Sequence, residues 1–164
     1  MELLHTDGER AETNHFAADW QSLAVAELWV ADVCAKFDIV GETLNALQVC
    51  FEELSTNIVR HGKRRQADQP FDSLGFQATI WRRGKQVKLI IADNARKFDL
   101  AAALARGSGS AEAPLTVGGQ GLTLIRTFAV DVAYEESASG NLTTLTFAVA
   151  DLGETGKKAE ALPS

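Results

Sequence analysis

The stretch GGQGLTLIR, residues 118–126, joins a glycine-rich turn to the start of an apolar segment. Glycine lets the backbone adopt positive φ values and approach a ligand closely. The start of a helix adds free backbone N–H groups and a positive dipole end, so the stretch suits a polyphosphate. A hinge followed by a helix start is the alternative interpretation. The stretch is neither a P-loop, because no Gly-Lys-Ser/Thr follows, nor a dinucleotide fingerprint, because it follows a long loop and not a strand.

The composition is that of one globular domain. The chain has 164 residues, of which 46% are hydrophobic and 23% are charged. Its net charge of −6 argues against a nucleic-acid-binding protein that works through a broad basic surface. No apolar run is long enough to span a bilayer, and the N-terminus is too polar for a signal peptide. We therefore predict a cytoplasmic protein that contacts neither membrane nor nucleic acid directly.

Two helices are predicted in the first half of the chain. Apolar residues recur at intervals of three and four over 23–37 and again over 44–58. Gly41 separates the two segments, and Gly62 is predicted to cap the second helix. Both cysteines of the chain lie within these apolar patterns without CxxC spacing, so we predict buried, reduced thiols.

The pattern then changes to an alternation of apolar and polar residues. Two such segments, 76–81 and 87–91, flank Arg83-Gly84-Lys85 and predict a β-hairpin. The Ala-, Gly- and Ser-rich stretch over 101–119 is long for a connection and predicts a lid or another functional loop. A short helix over 121–129 and a second hairpin, with strands over 130–135 and 143–149, are predicted to follow.

These elements predict an α/β fold, a two-layer sandwich. A mixed, mostly antiparallel sheet would carry the helices on one face. We expect the domain to span residues 14–150, with a short strand at 14–18, between disordered tails over 1–13 and 151–164.

Polar residues with the chemistry for catalysis lie on the second predicted helix. In FEELSTNIVRHG, residues 51–62, a spacing of four places Glu53, Asn57 and His61 on one face. An amide oxygen such as that of Asn57 is a hard ligand suited to Mg²⁺. A carboxylate one turn earlier can accept a proton from an attacking hydroxyl or orient a water molecule. A solvated helix face remains the alternative.

Asp93 directly follows an apolar strand, in LIIADNARKFD, residues 89–99. A carboxylate at that position, beside an apolar floor, can accept a hydrogen bond from the exocyclic amine of adenine. The alternative is a turn residue, because Asp and Asn after a strand cap the backbone.

The order of these features resembles the Bergerat-fold ATPases, which include histidine kinases and gyrase, and most closely their anti-sigma factor serine/threonine kinases. FEELSTNIVRHG resembles the N box, ADNARKFD the first glycine box, and GGQGLTLIR the second. The resemblance covers roughly residues 14–150. The small chain, with no phosphoacceptor helices attached, is more similar to the anti-sigma branch than to a histidine kinase.

The resemblance implies that ATP and Mg²⁺ bind between the helical layer and the lid. Glu53 would be the catalytic base, Asn57 would help to hold Mg²⁺, and Asp93 would bind the adenine. The other residues it implies at the nucleotide are Arg60, His61, Ala95, Phe98, Gly118, Gly119, Gln120, Gly121 and Leu122. It also implies three protein contacts: a small antagonist protein that accepts phosphate on Ser or Thr, a sigma factor or similar regulator, and a second copy in a homodimer.

One position departs from the family pattern. The first glycine box usually reads Asp-x-Gly, whereas this chain has Asp93-Asn94-Ala95. A methyl group at Ala95 would crowd the adenine or require a different turn. This departure favours an alternative function, a protein that sequesters partners without turning over ATP. A domain that passes phosphate to a histidine on a separate protein is a further alternative with the same fold.

Overall fold

The computed structural model describes residues 8–62, 74–95 and 119–149. Its elements, in chain order, are β1 (Glu9–Ala17), α1 (Trp20–Lys36), α2 (Gly41–His61), β2 (Gly75–Arg83), β3 (Gln86–Asp93), α3 (Gly119–Phe128), β4 (Asp131–Glu136) and β5 (Asn141–Ala148). The predicted C-terminal tail and nearly all of the predicted lid lie outside the described residues.

The strands form one five-stranded sheet in the order β1-β2-β3-β5-β4. Each neighbouring pair is antiparallel, and both pairs of strands joined by a short turn are the hairpins predicted from sequence. The helices pack together on one face, with α2 in contact with both α1 and α3. The predicted two-layer α/β architecture is confirmed, and the described part of the sheet is entirely antiparallel.

β1 begins earlier than the sequence predicted. It starts at Glu9, so residues 9–13, which were predicted to lie in a disordered tail, belong to the sheet. The strand pairs with β2 along its whole length, from Glu9 opposite Arg83 to Ala17 opposite Gly75. The prediction was wrong because only Phe16 of this edge strand is buried, so its sequence carries little apolar alternation. Pairing with β2, which is a tertiary effect, specifies the strand.

Local capping defines the helix ends. Asp19 caps α1, because its carboxylate accepts a hydrogen bond of 2.7 Å from the backbone N–H of Ser22. Gly41 has a φ of +61° at the start of α2, a conformation that favours glycine. Gly62 ends α2 as predicted, and a Cβ there would lie 2.3 Å from the carbonyl oxygen of Ile58. Glycine is therefore required at Gly62 by the close approach of the backbone.

The core lies between the sheet and the helices. Four aromatic side chains connect its layers through ring contacts of 5.5–6.2 Å between centroids: Phe16, Trp29, Phe51 and Phe76. Cys34 and Cys50 are buried free thiols in the same core, as predicted. Burial raises the pKa of each thiol to about 12.

Two arginines attach the connection between α1 and α2 to the sheet. Arg82, near the end of β2, donates to the carbonyl oxygens of Phe37 and Asp38. Arg10, on β1, donates to the carbonyl oxygen of Lys36 at 2.8 Å and pairs with the Asp38 carboxylate at 3.1 Å. These bonds satisfy carbonyl groups beyond the end of α1 with charged donors. They fix the helical layer at the end of the sheet opposite Asp93.

Candidate nucleotide-binding site

Asp93 is the last residue of β3, and its side chain lies on the helix-facing side of the sheet. Its register partners on that side are Phe76 of β2 and Asn141 of β5, both buried. One carboxylate oxygen, Oδ1, accepts a hydrogen bond of 2.9 Å from the backbone N–H of Ala95. This bond forms an Asx turn, so the predicted turn-capping role of Asp93 exists in the structure. It does not exclude a ligand, because a carboxylate can accept several hydrogen bonds.

A second donor to Asp93 comes from the neighbouring strand. The Asn141 side-chain amide donates to the same Oδ1 at 2.9 Å and to the Ala95 carbonyl oxygen at 3.3 Å. The Tyr134 hydroxyl on β4 donates in turn to the amide oxygen of Asn141 at 2.8 Å. Neither residue could be identified from the sequence, because their contacts depend on the strand register. The only sequence signal was the turn that joins their two strands.

The backbone around Asp93 is closely packed. The Asn94 side chain accepts a hydrogen bond of 2.9 Å from the Gly75 N–H, which attaches the loop after β3 to the start of β2. A Cβ on Gly140 would lie 1.9 Å from the Asp93 carbonyl oxygen. The end of β3 is therefore held from β2 on one side and from the turn before β5 on the other.

Ala95 fits this turn without strain. Its methyl group is buried, and its backbone N–H and carbonyl both bond to the Asp93–Asn141 pair. Among the described residues other than glycine, only Asp38 has a positive φ. Alanine is therefore compatible with the turn that this chain forms after β3.

Glu53 and Asn57 are both half-buried on α2. Glu53 lines a cleft of about 330 Å³ between α1 and α2, and Arg60 lines the same cleft. The Arg60 guanidinium lies 5.6 Å from the ring centroid of Trp20, at the start of α1. His61 is exposed at the end of the helix. The structure thus places Glu53 and Arg60 on one cleft, whereas Asp93 lies at the end of the central strand β3.

The glycine-rich stretch is described in part. Gly119 and Gly121 lie in the first turn of α3, which packs against α2. The helix thus begins two residues before its predicted start. Nothing is described of the side chains of residues 119–122, and Gly118 and Phe98 lie outside the described residues. The packing does bring the helix that follows the glycines into contact with the helix that bears Glu53 and Asn57.

A second cavity, of about 690 Å³, opens at the end of the sheet that bears Asp93. It is lined by residues of all five strands. His15, Gln77, Ala92 and Leu142 form one row across its lining. These residues alternate with the helix-facing ones, so this row lies on the face away from α1 and α2. Asp93 also contributes to the lining, at the strand end. The row lies on the opposite face from the helical layer where the resemblance implies the nucleotide.

The fold is a helical layer packed on one face of a five-stranded antiparallel sheet. The family model described as "Histidine kinase-like ATPase domain" matches residues 16–147, and the chain belongs to that family. Family membership implies that the domain binds ATP. No curated protein is significantly similar to this chain.

Among solved structures, the chain is similar to the histidine kinase domain from the Erythrobacter litoralis EL346 blue-light activated histidine kinase. The two share 11% sequence identity with a TM-score of 0.44, over 79% of this chain and 60% of that one. This chain therefore spans less than two thirds of that structure. No helix in the described ranges is long and apolar enough to cross a membrane.

Proposed function

We propose that this protein is an ATP-dependent serine/threonine kinase of the anti-sigma factor type. The observation that carries the proposal is the pair Glu53 and Asn57, one helical turn apart and both half-buried, on a helix that contacts α3. In an ATPase-family domain, this arrangement supplies a proton acceptor and a metal ligand on one helix face. Asp93, held at the end of a central strand, supplies the acceptor for the adenine amine.

The residues present fit ATP with Mg²⁺, with most metal ligands coming from the nucleotide. Within the described ranges, no group of three or more acidic, histidine or cysteine side chains is placed to hold a metal ion. Mg²⁺ is usually bound by one or two protein oxygens together with water and phosphate oxygens. Asn57 would supply the protein oxygen, and Mg²⁺ when bound would neutralise phosphate charge. The backbone N–H groups of the first turn of α3, with Gly118, Gln120 and Leu122 beside them, would face the phosphates.

Glu53 would act as the general base. It would accept the proton of a Ser or Thr hydroxyl on the antagonist protein as that oxygen bonds to the γ-phosphorus. The bond between the γ-phosphorus and the β–γ bridging oxygen breaks, and ADP leaves with the bridging oxygen. Arg60 and His61 both lie about two turns further along α2, where their side chains would act near the nucleotide. Phe98 is proposed to contact the nucleotide from the lid side.

The phosphoryl acceptor would be a small antagonist protein. The kinase would also sequester a sigma factor or a similar regulator. The kinase would act as a homodimer. These assignments are supported by the resemblance of the three sequence boxes to the anti-sigma branch.

The test is phosphoryl transfer from labelled ATP with Mg²⁺ to the candidate antagonist. Glu53→Gln should reduce transfer at least about 100-fold, the lower range for a lost general base, while ATP affinity is retained. Glu42→Gln is the control, because Glu42 is an exposed carboxylate in the first turn of the same helix and does not line the cleft that contains Glu53. Equal transfer rates for Glu53→Gln and wild type would refute the assignment of Glu53.

The product separates the proposal from its rivals. An acid-stable phosphate on Ser or Thr supports the kinase, whereas an acid-labile product indicates transfer to histidine. ATP binding with no labelled product, together with stable capture of the regulator, would favour a partner-sequestering protein. No ATP binding with or without Mg²⁺ would remove the basis of both kinase assignments.

A further inference from the structure

We infer that Asn141, held by Tyr134, is a positioning residue for Asp93 and sets the selectivity of the site for adenine. The inference rests on the proposed role of Asp93 as the acceptor for the adenine amine. Nothing in the sequence motifs assigns a role to either residue. Both lie in the second hairpin, outside the three boxes that carry the family resemblance.

The three side chains form a continuous chain of hydrogen bonds across β4, β5 and β3. The Tyr134 hydroxyl donates to Asn141 at 2.8 Å, and the Asn141 amide donates to Asp93 Oδ1 at 2.9 Å. Asn141 is only 4% exposed, so its amide is held in one orientation by bonds at both ends. The register explains the contact, because Asn141 lies directly opposite Asp93 and Tyr134 opposite Thr143.

The two donors to Oδ1 fix the plane of the carboxylate. The Ala95 N–H approaches from the loop after β3, and the Asn141 amide approaches from the adjacent strand. With Oδ1 held from two directions, rotation of the carboxylate about its terminal bond would break both bonds. The lone pairs of the carboxylate therefore keep a fixed direction relative to the sheet. A preset acceptor loses less conformational freedom when the base binds.

A fixed carboxylate discriminates between purines by the group at position 6. Adenine presents an amine there, which donates, whereas hypoxanthine and guanine present a carbonyl oxygen. The half-buried Asp93 carboxylate gains no hydrogen bond from a carbonyl oxygen on the base, and two acceptors then face each other, so the mismatch carries discrimination. If Asn141 did not hold Asp93, the carboxylate could turn away from either base, and the discrimination would fall.

The test compares the dissociation constants of ATP and inosine triphosphate, the nucleotide in which a carbonyl replaces the amine. The readout is the dissociation constant of inosine triphosphate divided by that of ATP. A merely structural role of the hairpin would not change this ratio. Wild type should favour ATP. Asn141→Leu should lower the ratio about tenfold, the loss expected for one well-aligned hydrogen bond to a charged group. The affinity for inosine triphosphate should change little.

Two further variants keep the inference testable if Asn141→Leu folds poorly. Tyr134→Phe removes one hydroxyl and should lower the ratio in the same direction by a smaller factor. Thr79→Val is the matched control, because it removes a side-chain hydrogen bond of 2.8 Å to Thr13 on the opposite face of the sheet. This control should leave the ratio unchanged.

The outcomes separate this inference from the proposed function. Equal affinity of wild type for the two nucleotides would overturn the role of Asp93 in base recognition, and with it this inference. A clear preference for ATP that survives intact in both Asn141→Leu and Tyr134→Phe would overturn only the positioning role. A fall in the ratio for these two variants, with no change in Thr79→Val, supports it.

Discussion

Gly140 lies so close to Asp93 that a methyl group cannot be added without moving the backbone. A Cβ there would lie 1.9 Å from the Asp93 carbonyl oxygen, whereas carbon and oxygen in contact lie about 3.3 Å apart. Relief requires the end of β3 and the turn before β5 to separate by roughly 1.4 Å, the difference between these two distances. Overpacking of this kind costs about 1–3 kcal/mol. We expect Gly140→Ala to lower the free energy of unfolding by about 2 kcal/mol, which lowers Tm by about 4–8 °C.

Nucleotide affinity should fall in the same variant, because the shift pulls Asn141 away from Asp93. The assay is urea unfolding, with the m-value as a check on two-state behaviour, together with ATP titration at a temperature where the variant is folded. Gly84→Ala is the control: Gly84 has a φ of +55° with open space around its Cβ position. That variant should lose about 1–2 kcal/mol through backbone strain and keep its ATP affinity. A Gly140→Ala protein within about 0.5 kcal/mol of wild type would refute the steric reasoning.

The remaining predictions concern the arginine contacts, the buried thiols and the residue that replaces the family's glycine. Arg82→Met should lower the free energy of unfolding by about 1–3 kcal/mol, because two carbonyl groups lose a charged donor. Urea unfolding measures this change. In the control Gln86→Met, a change at an exposed residue, the free energy of unfolding should stay within about 0.5 kcal/mol of wild type. Burial raises the pKa of Cys34 and Cys50 from 9.0 to about 12, so above about pH 9 the unfolded chain loses these protons first and stability falls as pH rises. Urea unfolding between pH 8 and roughly 10.5 should show a shallower fall for the double variant Cys34→Ala/Cys50→Ala, and parallel slopes would contradict the prediction. Ala95→Gly should cost about 1–2 kcal/mol through the lost methyl group and the added backbone freedom, with ATP affinity unchanged; a large gain in affinity would show that the methyl group crowds the base.

The helices and central strands could be predicted because their buried apolar side chains recur at the spacing of a helix or a strand. α2 presents Leu47, Phe51 and Leu54 to the sheet at helical spacing, and Leu89 and Ile91 alternate on β3. β1 could not be predicted over its full length, because an edge strand with few buried side chains has little pattern of its own. Its position depends on hydrogen bonds to β2, which no local sequence signal encodes.

The candidate site, too, could be predicted from the sequence only in part. Asp93 could be proposed from its place after an apolar strand, and Glu53 and Asn57 from their spacing on a helix. Asn141 and Tyr134 could not be found, because the bonds that matter link three strands and require the register of β3 against β5. A slip of two residues in that register would keep the side-chain faces and the apolar pattern but would separate Asn141 from Asp93.

Ala95 stands where the first glycine box of the family usually has glycine, so its environment shows whether the turn in this chain needs glycine. A glycine is needed where φ is positive or where another group leaves no space for a side chain. Ala95 meets neither condition, since its φ is not positive and its buried methyl group is accommodated while both of its backbone groups bond to the Asp93–Asn141 pair. Next to Asp93, a close approach that does require glycine lies at Gly140, in the turn before β5. The support of the Asp93 carboxylate therefore depends on the β4–β5 hairpin as much as on the loop after β3.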